Sequence, residues 1–375
     1  MRKARQASFM PQILTAIGMM SGTSMDGIDV AMIETDGEGI VRRGPGATFA
    51  YDRAFRSRLG QAIADARAVT NRKERSGCLA DVEAEITVRH ADALADFMAR
   101  EGLERAAIDI VGFHGQTVLH RPEDRLTLQL GDGPTLARLT GLKFAYDMRA
   151  DDVAEGGQGA PLASVYHRAM AAACEDRPVA VLNIGGVANV TWIGRDGQLL
   201  AFDTGPGNAL IDDWMAKRIG ASRDDGGAAA RAGKAQTATV KFFLDHAYFA
   251  APPPKSLDRN TFFWDLVYGL SVQDGAATLT AMTVGAVAQA RTHMPEPPKR
   301  WVVCGGGRRN GAIMAGLQDA LAVPVVPAED LGFDGDTVEA EAWAYLAVRA
   351  LKGLPLTYPG TTGVQTPQTG GCIIA

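Results

Sequence analysis

The chain has 375 residues, too many for a single hydrophobic core, so two domains are the natural expectation. Its 46% hydrophobic and 22% charged residues are ordinary for a globular protein, and its formal net charge of −5 argues against a nucleic-acid-binding protein, which needs a basic face. The apolar run 13–20 is too short for a signal or membrane-spanning helix. The four scattered cysteines lack metal-binding spacing, and their scatter favours reduced thiols in the cytoplasm.

The first third of the chain predicts a hairpin, a further strand and two helices. Two apolar runs flank the Gly-rich segment 21–27, a pattern typical of two strands joined by a loop. Farther on, apolar residues recur every three or four positions, as in amphipathic helices. The predicted strands are 13–20, 28–34 and 41–51, and the predicted helices are 54–68 and 73–101.

The next strands end in polar segments. Ligand sites of open α/β sheets lie at the carboxyl ends of strands, so these segments predict one edge of a binding site. A lone histidine such as His114 is nevertheless more often a structural hydrogen-bonding group than a base. The strands are 108–113, followed by the polar segment 114–117, then 126–130, followed by 131–133, and then 142–147.

The stretch 179–208 predicts three antiparallel strands at 179–184, 187–193 and 199–202, with Asp196-Gly197 in a turn. They lead into the hexapeptide Asp-Thr-Gly-Pro-Gly-Asn at 203–208. As a loop, this hexapeptide can bring main-chain N–H groups and the Asp203 carboxylate to a ligand. An ordinary tight turn, with Asn208 capping a helix at 209–219, explains the pattern equally well.

Two further glycine-rich turns are candidate anion sites. The turn at 22–29, Gly-Thr-Ser-Met-Asp-Gly-Ile-Asp, has hydroxyl and N–H groups suited to phosphate oxygens, but it lacks the Gly-Lys-Ser/Thr ending of a Walker A loop. The turn Gly305-Gly306-Gly307 joins strand 299–304 to helix 312–321, where backbone N–H groups and the helix dipole favour an anion. A polar hairpin turn and a tight strand-to-helix turn are the alternatives. Further helices are predicted at 237–246, 271–291 and 337–351.

Four carboxylates lie beside glycine turns or at helix starts, positions that suit metal ligation through water or general-base catalysis. Lys255 and Arg259 follow a proline run, and a solvated position is the simpler interpretation for both. The four carboxylates are Asp26, Asp29, Asp203 and Glu339.

Eight motifs, in order and nearly from end to end, make the chain resemble the 1,6-anhydro-N-acetylmuramic acid kinase family. The chain departs from the family at 256–259, where relatives more often carry Ser-Thr-Gly-Arg, and in its basic arm before residue 12. The motifs are GMMSGTSMDGIDVA (18–31), GFHGQTVLHRP (112–122), LQLGDG (128–133), GGQGAPL (156–162), LNIGGVANVT (182–191), FDTGPGNALID (202–212), CGGGRRN (304–310) and GFDGDTVEAEAWAYLA (332–347).

The resemblance implies an α/β fold with two ribonuclease-H-like lobes of the actin/Hsp70/sugar-kinase type around a central cleft. Residues 1–146 and 352–375 would form the N-terminal lobe, and residues 147–351 the C-terminal lobe. The implied partners are ATP with Mg²⁺ and a small-molecule sugar, with no nucleic acid and no membrane. A homodimer is one of the oligomeric states that the sequence leaves open.

The resemblance also assigns the site residues, with 22–29 as the first phosphate loop, 304–310 as the adenosine-side segment and Asp203 as the catalytic carboxylate. The implied nucleotide-binding residues are Gly22, Thr23, Ser24, Met25, Asp26, Gly27, Ile28, Asp29, Gly185, Gly186, Gly305, Gly306, Gly307 and Asn310. The implied sugar-binding residues are His114, Gln116, Asp132, Arg149, Asn189 and Glu339.

The implied reaction opens a 1,6-anhydro ring and phosphorylates it in one event. Asp203, with an ordinary pKa of about 4, would be ionised at neutral pH and take a proton from the attacking water. Three alternatives stay open from the sequence. They are a kinase for a plainer anhydro sugar such as levoglucosan, an ATP-driven clamp without sugar chemistry, and a glycosidase that needs no ATP.

Overall fold

The computed structural model describes residues 12–22, 25–259 and 261–375, which form two mixed sheets with helices packed on them. The strands are β1 (Leu14–Ser21), β2 (Gly27–Thr35), β3 (Val41–Ala50), β4 (Ile110–Arg121), β5 (Leu126–Leu130), β6 (Phe144–Tyr146), β7 (Val179–Ile184), β8 (Val187–Ile193), β9 (Leu199–Pro206), β10 (Arg300–Cys304), β11 (Val325–Pro327) and β12 (Cys372–Ile374). The helices are α1 (Arg53–Ala66), α2 (Leu79–Glu101), α3 (Gly133–Thr140), α4 (Ala150–Ala154), α5 (Ser164–Met170), α6 (Ala209–Ile219), α7 (Ala228–Ala232), α8 (Thr237–Leu244), α9 (Ala247–Ala250), α10 (Val272–Ala290), α11 (Gly311–Leu321), α12 (Val338–Leu351) and α13 (Pro359–Thr362).

Both sheets have the same strand order and the same strand directions. In the first sheet β1 pairs antiparallel with β2, β2 pairs antiparallel with β3, and β1, β4 and β6 run parallel. In the second sheet β7, β8 and β9 are antiparallel neighbours, while β7, β10 and β11 run parallel. The expected pair of ribonuclease-H-like lobes is therefore confirmed. The residue bounds of the two domains stay a prediction.

The first sheet carries two additions to this common plan. The strand β5 pairs with the second half of β4, and β12, near the chain's end, pairs with β6. Among the described residues no helix is both long and apolar enough to cross a bilayer. All four cysteines are unpaired thiols, as the sequence predicted.

Two strands extend beyond their predicted ends. The strand β4 does not stop at Phe113 but continues to Arg121, because residues 116–121 pair with β5. The strand β9 continues to Pro206, because Gly205 and Pro206 pair with β8. The predictions that 114–117 and 203–208 are turns or loops are therefore wrong over most of their length. Their polar side chains alternate along strands, so their directions are fixed by the pleat.

The helix α12 lies unusually close to the first sheet because of two paired glycines. Gly18 of β1 and Gly112 of β4 are opposite each other in the register. A Cβ added to Gly18 would lie 1.8 Å from the carbonyl oxygen of Ala340, and one added to Gly112 would lie 2.1 Å from that of Trp343. Any larger side chain would push the helix off the sheet. These glycines therefore fix where the first turn of α12, and with it Glu339, stands relative to the strand ends.

Candidate active site

A row of polar side chains crosses the second sheet. Asn183 of β7 is opposite Asn189 of β8, and Asn189 is opposite Asp203 of β9. Residues directly opposite each other in antiparallel strands share a face of the sheet. The register shifts between Ala188 and Asn189, at a bulge beside this row. Three predicted or neighbouring site residues thus come from one cross-strand row rather than from a loop.

Asp203 is buried, with 7% of its surface exposed, and it is held on three sides by one neighbouring segment. Its Oδ2 accepts a hydrogen bond from the Leu257 amide (2.7 Å), its own amide donates to the Lys255 carbonyl (3.0 Å), and its carbonyl accepts from the Tyr248 hydroxyl (2.7 Å). Burial raises the pKa of Asp203 to about 7, against the lowering effects of the Leu257 hydrogen bond and the Arg149 charge. The expectation of an ordinary pKa near 4 is therefore wrong.

Lys255 is buried, which contradicts the expectation of a solvated side chain. Its Nζ donates to the carbonyls of Tyr248 (2.8 Å) and Phe249 (3.3 Å) and lies 4.7 Å from the centre of the Tyr248 ring. Burial lowers its pKa to about 8. The amine thereby ties Lys255 to α9, within the same segment that supplies the hydrogen bonds to Asp203. Arg259 is more exposed and forms an ion pair with Asp213 (3.0 Å).

Arg149, which follows β6 of the first sheet, lies close enough to Asp203 for its charge to act on it. Its guanidinium donates to His114 Nε2 (3.2 Å) and to the Gly159 carbonyl, while its buried Nε has no partner among the described residues. Burial lowers the pKa of Arg149 to about 10, and Asp203 and Glu339 are among the charges that oppose this shift. A partly desolvated guanidinium with a spare N–H is suited to an oxygen-rich ligand.

His114 is a neutral, oriented side chain. Burial lowers its pKa to about 3, so it stays uncharged at neutral pH. Since Arg149 donates to Nε2, the proton lies on Nδ1, which donates to the Ser21 carbonyl (3.3 Å). The ring lies 4.5 Å from that of Trp343 in α12. These contacts favour the structural interpretation of His114, as a residue that positions Arg149, over that of a base.

Glu339 lies in the first turn of α12, next to the row of polar side chains on the second sheet. The Asn183 amide nitrogen donates to it (3.1 Å), a contact that joins the second sheet to the helix of the first. Burial, and secondly the charge of Asp29, raise the pKa of Glu339 to about 7. Burial likewise raises the pKa of Asp29 to about 6, although Asp29 accepts a hydrogen bond from the Thr48 hydroxyl (2.6 Å). A carboxylate whose pKa is raised by the charge of another carboxylate marks a region where a cation would be stabilised.

The glycine turns are locked to one another by main-chain hydrogen bonds. The amides of Gly207 and Asn208 donate to the carbonyls of Gly186 (2.9 Å) and Gly185 (2.8 Å). Asn208 makes no side-chain cap for α6, because its amide group donates to the Ile184 carbonyl (3.1 Å) instead. The alternative interpretation of Asn208 as a helix cap is therefore wrong.

The turn at Gly305 and Gly306 leaves open space beside it. Gly305 has a φ of +73°, and a Cβ there would lie 2.3 Å from Asn183 Oδ1, so this position requires glycine. At Gly306 the nearest atom to an added Cβ is Asn208 Nδ2, at 3.7 Å. A ligand can thus approach the backbone at Gly306 without meeting another side chain.

Arg308 holds this turn in place, and the sequence analysis did not single it out. Its side chain donates to Asp336 (2.7 Å), to Glu329 (2.8 Å) and to the Gly305 carbonyl (3.0 Å). These partners raise its pKa above the ordinary value although burial opposes them. The acidic partners lie about 20 to 30 residues away along the chain. A local sequence pattern cannot indicate such a pairing, and only a motif shared between the two segments could have done so.

Several predicted ligand-binding side chains are already engaged within the protein. Gln116 accepts from the Ser21 hydroxyl (2.7 Å) and donates to the Gly22 carbonyl (3.2 Å), so it supports the start of the first glycine loop. Asp132 caps α3 by accepting from the Thr135 amide (3.2 Å). Asn310 caps α11 by accepting from the amides of Ala312 (3.0 Å) and Ile313 (3.2 Å).

Within the first glycine loop, the described residues act mainly through the backbone. The Met25 amide donates to the Gly22 carbonyl (3.1 Å), and Met25 has a φ of +55°. Ile28 is buried in the core under the first sheet, and a Cβ at Gly27 would lie 2.6 Å from the Phe49 carbonyl oxygen. Thr23 and Ser24 lie outside the described residues.

Two lobes of one strand order, with glycine-rich turns beside a buried aspartate and a half-buried glutamate, suit an α/β enzyme of the phosphotransferase class. The anhydro-N-acetylmuramic acid kinase family model matches residues 14–375. A relative of that name from Rhodospirillum rubrum is 53% identical over 95% of this chain and 93% of its own, and one from Methylobacterium nodulans is 52% identical over 96% and 99%. The chain belongs to the anhydro-N-acetylmuramic acid kinase family.

Solved structures with a similar arrangement are more distant. The activator of the 2-hydroxyisocaproyl-CoA dehydratase from Clostridium difficile, with bound ADPNP, is 13% identical with a TM-score of 0.46, covering 91% of this chain and 96% of its own. A ROK family glucokinase from Streptomyces griseus, in complex with glucose and AMPPNP, is 14% identical with a TM-score of 0.38, covering 90% and 99%.

Proposed function

We propose that the chain opens the 1,6-anhydro ring of 1,6-anhydro-N-acetylmuramic acid and phosphorylates O6. Water adds to C1, the C1–O6 bond breaks, and O6 takes the γ-phosphoryl group of ATP, whose bond to the β-phosphate oxygen breaks. The proton of the water passes to Asp203. The products are N-acetylmuramic acid 6-phosphate and ADP, and the 6-phosphate is an intermediate of cell-wall recycling.

The environment of Asp203 carries this proposal. Its Oδ2 is held by the Leu257 amide, while Oδ1 accepts no hydrogen bond from the described residues and is free to face a water molecule. A pKa of about 7 makes the carboxylate a stronger base than an ordinary aspartate. Arg149, whose charge already acts on Asp203, is placed to bind sugar oxygens near the reacting carbon.

The nucleotide would approach the two glycine-rich turns at 22–29 and 305–307, with its phosphates towards the carboxylates. Asp29 and Glu339 fit Mg²⁺, because Mg²⁺ in kinases is held by one or two carboxylates, phosphate oxygens and water. When bound there, Mg²⁺ would neutralise charge on the transferred phosphoryl group.

The proposal is tested by measuring ATP consumption with and without 1,6-anhydro-N-acetylmuramic acid. We expect consumption to depend on the sugar and to yield one 6-phosphate per ADP, with label from ¹⁸O-water only at C1. Equal ATP hydrolysis with and without sugar would indicate a clamp instead. Ring opening without ATP would indicate a glycosidase, and a preference for levoglucosan would indicate a kinase for plainer anhydro sugars.

The rate should rise with pH through about 7. Asp203 accepts a proton only in its ionised form, and burial has raised its pKa to about 7, so the acid limb of kcat/KM should bend there rather than near 4. A pH–rate profile of wild type and Glu339→Gln checks this, since burial also raises the pKa of Glu339 to about 7. An acid limb that disappears in Glu339→Gln would assign the titration to Glu339.

A further inference from the structure

A cavity of about 650 Å³ opens beside the middle of β4 and the carboxyl ends of β5 and β6. Gly131 and Asp147, which immediately follow β5 and β6, lie in its wall, and so does His114 of β4. The loop that precedes α2 forms the opposite wall and contributes the cations Arg72, Lys73 and Arg75. The cavity therefore combines a strand-end position, which is where α/β sheets bind ligands, with a cationic wall.

Two of the three cations are already neutralised. Arg72 forms an ion pair with Asp147 and donates to the Thr127 carbonyl (3.0 Å). Arg75 makes a two-pronged contact with Glu83 (2.7 and 2.8 Å). The ammonium group of Lys73 makes no hydrogen bond or ion pair with any described residue, and the side chain is exposed. Among the described residues that line this cavity, Lys73 is thus the cation whose charged group has no hydrogen-bonding or ion-pair partner.

His114 connects the cavity to the candidate active site. His114 lines the cavity, and its ring accepts a hydrogen bond from Arg149, whose charge acts on Asp203. A ligand bound at Arg149 would therefore have its His114 side towards the cavity. A substituent on that side would lie among the strand ends, with the Lys73 ammonium group as its free electrostatic partner.

We propose that this cavity receives the lactyl substituent of the sugar and that Lys73 binds its carboxylate. The assignment rests on the proposed function, because N-acetylmuramic acid differs from N-acetylglucosamine by this lactyl ether, which carries the molecule's one carboxylate. A flexible ammonium group on a cavity wall suits a carboxylate on a short flexible arm. Lys73 would then determine specificity for the acidic sugar without touching the reacting atoms.

The test compares sugar binding by calorimetry without ATP, in wild type, Lys73→Gln and Lys217→Gln. Lys217 is an exposed lysine on α6 in the other lobe, so its variant controls for loss of one charge. The ligands are 1,6-anhydro-N-acetylmuramic acid and its lactyl methyl ester, which neutralises the carboxylate and adds one methyl group. We expect Lys73→Gln to weaken binding of the acid about five- to twentyfold, as for a charge-assisted hydrogen bond partly exposed to water, and to leave the ester unchanged.

The proposal is overturned if Lys73→Gln binds the acid as wild type does, or if the acid and the ester lose affinity equally. Retention of affinity in Lys73→Arg and in Lys217→Gln would support it. The measurement needs no turnover, so it is separate from the proposed function. A wild-type protein that bound the acid but formed no 6-phosphate would contradict the function, while the Lys73 comparison would still decide the cavity's role.

Discussion

Replacing Asp203 with asparagine should abolish turnover while leaving both ligands bound. Asparagine keeps an oxygen that can accept from the Leu257 amide but removes the proton acceptor. Positioned general bases contribute about 10²–10⁴-fold, and the loss should be at least that large, because ring opening and phosphoryl transfer are coupled. Product formation, ATP affinity and sugar affinity measured on one preparation check this expectation.

Asp319→Asn is the matched control, since Asp319 is an exposed carboxylate on α11. It should keep wild-type turnover. Near-normal turnover of Asp203→Asn would remove Asp203 from the mechanism and make Glu339, whose pKa is also raised to about 7, the next candidate base.

The same substitution should make the protein more stable at alkaline pH. The folded state holds a proton on Asp203 up to a pKa of about 7, whereas the unfolded chain loses it near 3.8. Stability therefore falls as pH rises from about 4 to 7, and Asp203→Asn removes that loss. The gain in the free energy of unfolding should approach about 4 kcal/mol at pH 8 and vanish near pH 4, since one pKa unit corresponds to about 1.4 kcal/mol. Urea unfolding at both pH values measures it.

Gly306→Val should weaken ATP binding about five- to 150-fold without unfolding the protein. An added Cβ meets nothing closer than Asn208 Nδ2 at 3.7 Å, so the Cβ makes no clash in the free protein and adds atoms to the space proposed for the nucleotide. An overpacked contact costs about 1–3 kcal/mol, which corresponds to about a five- to 150-fold loss of affinity. Calorimetric titration with ATP measures the effect.

Gly60→Val is the control for this substitution. Gly60 lies on the exposed side of α1, and a Cβ there also meets no atom within 4 Å. Its ATP affinity should equal that of wild type. An unchanged ATP affinity in folded Gly306→Val would place the nucleotide elsewhere.

Local sequence signals predicted the elements of the second sheet well. The bounds of β7 and β8 agree with prediction, and so do those of α6, because short apolar runs are separated there by glycines and an Asp-Gly turn. The shared topology of the two sheets was not visible as a sequence repeat. Strand order depends on which apolar faces pair with each other, and many unrelated sequences share the same pattern of apolar and polar residues along a strand.

The errors concern polar residues whose partners are distant in the chain. The sequence places His114 and Asp203 in turns, because polar residues next to glycine usually lie in turns. In the structure they lie in strands, because β5 pairs with the extended β4 and β8 pairs with the extended β9. Lys255 reads as solvated because its partners are main-chain carbonyls, which no side-chain pattern announces. The motifs identified Asp132 and Asn310, but the hydrogen bonds they make are those of helix caps.

The paired glycines under α12 have a mechanical consequence. With Ala340 and Trp343 pressed against Gly18 and Gly112, the helix must travel as one rigid body with the first sheet. Glu339 therefore keeps its distance to the strand ends beneath it, and a motion of the second sheet relative to the first would change its 3.1 Å contact with Asn183. The main-chain hydrogen bond from the Gly305 amide to the Gly335 carbonyl (3.0 Å) would change with it, so the lengths of these two contacts would measure such a motion.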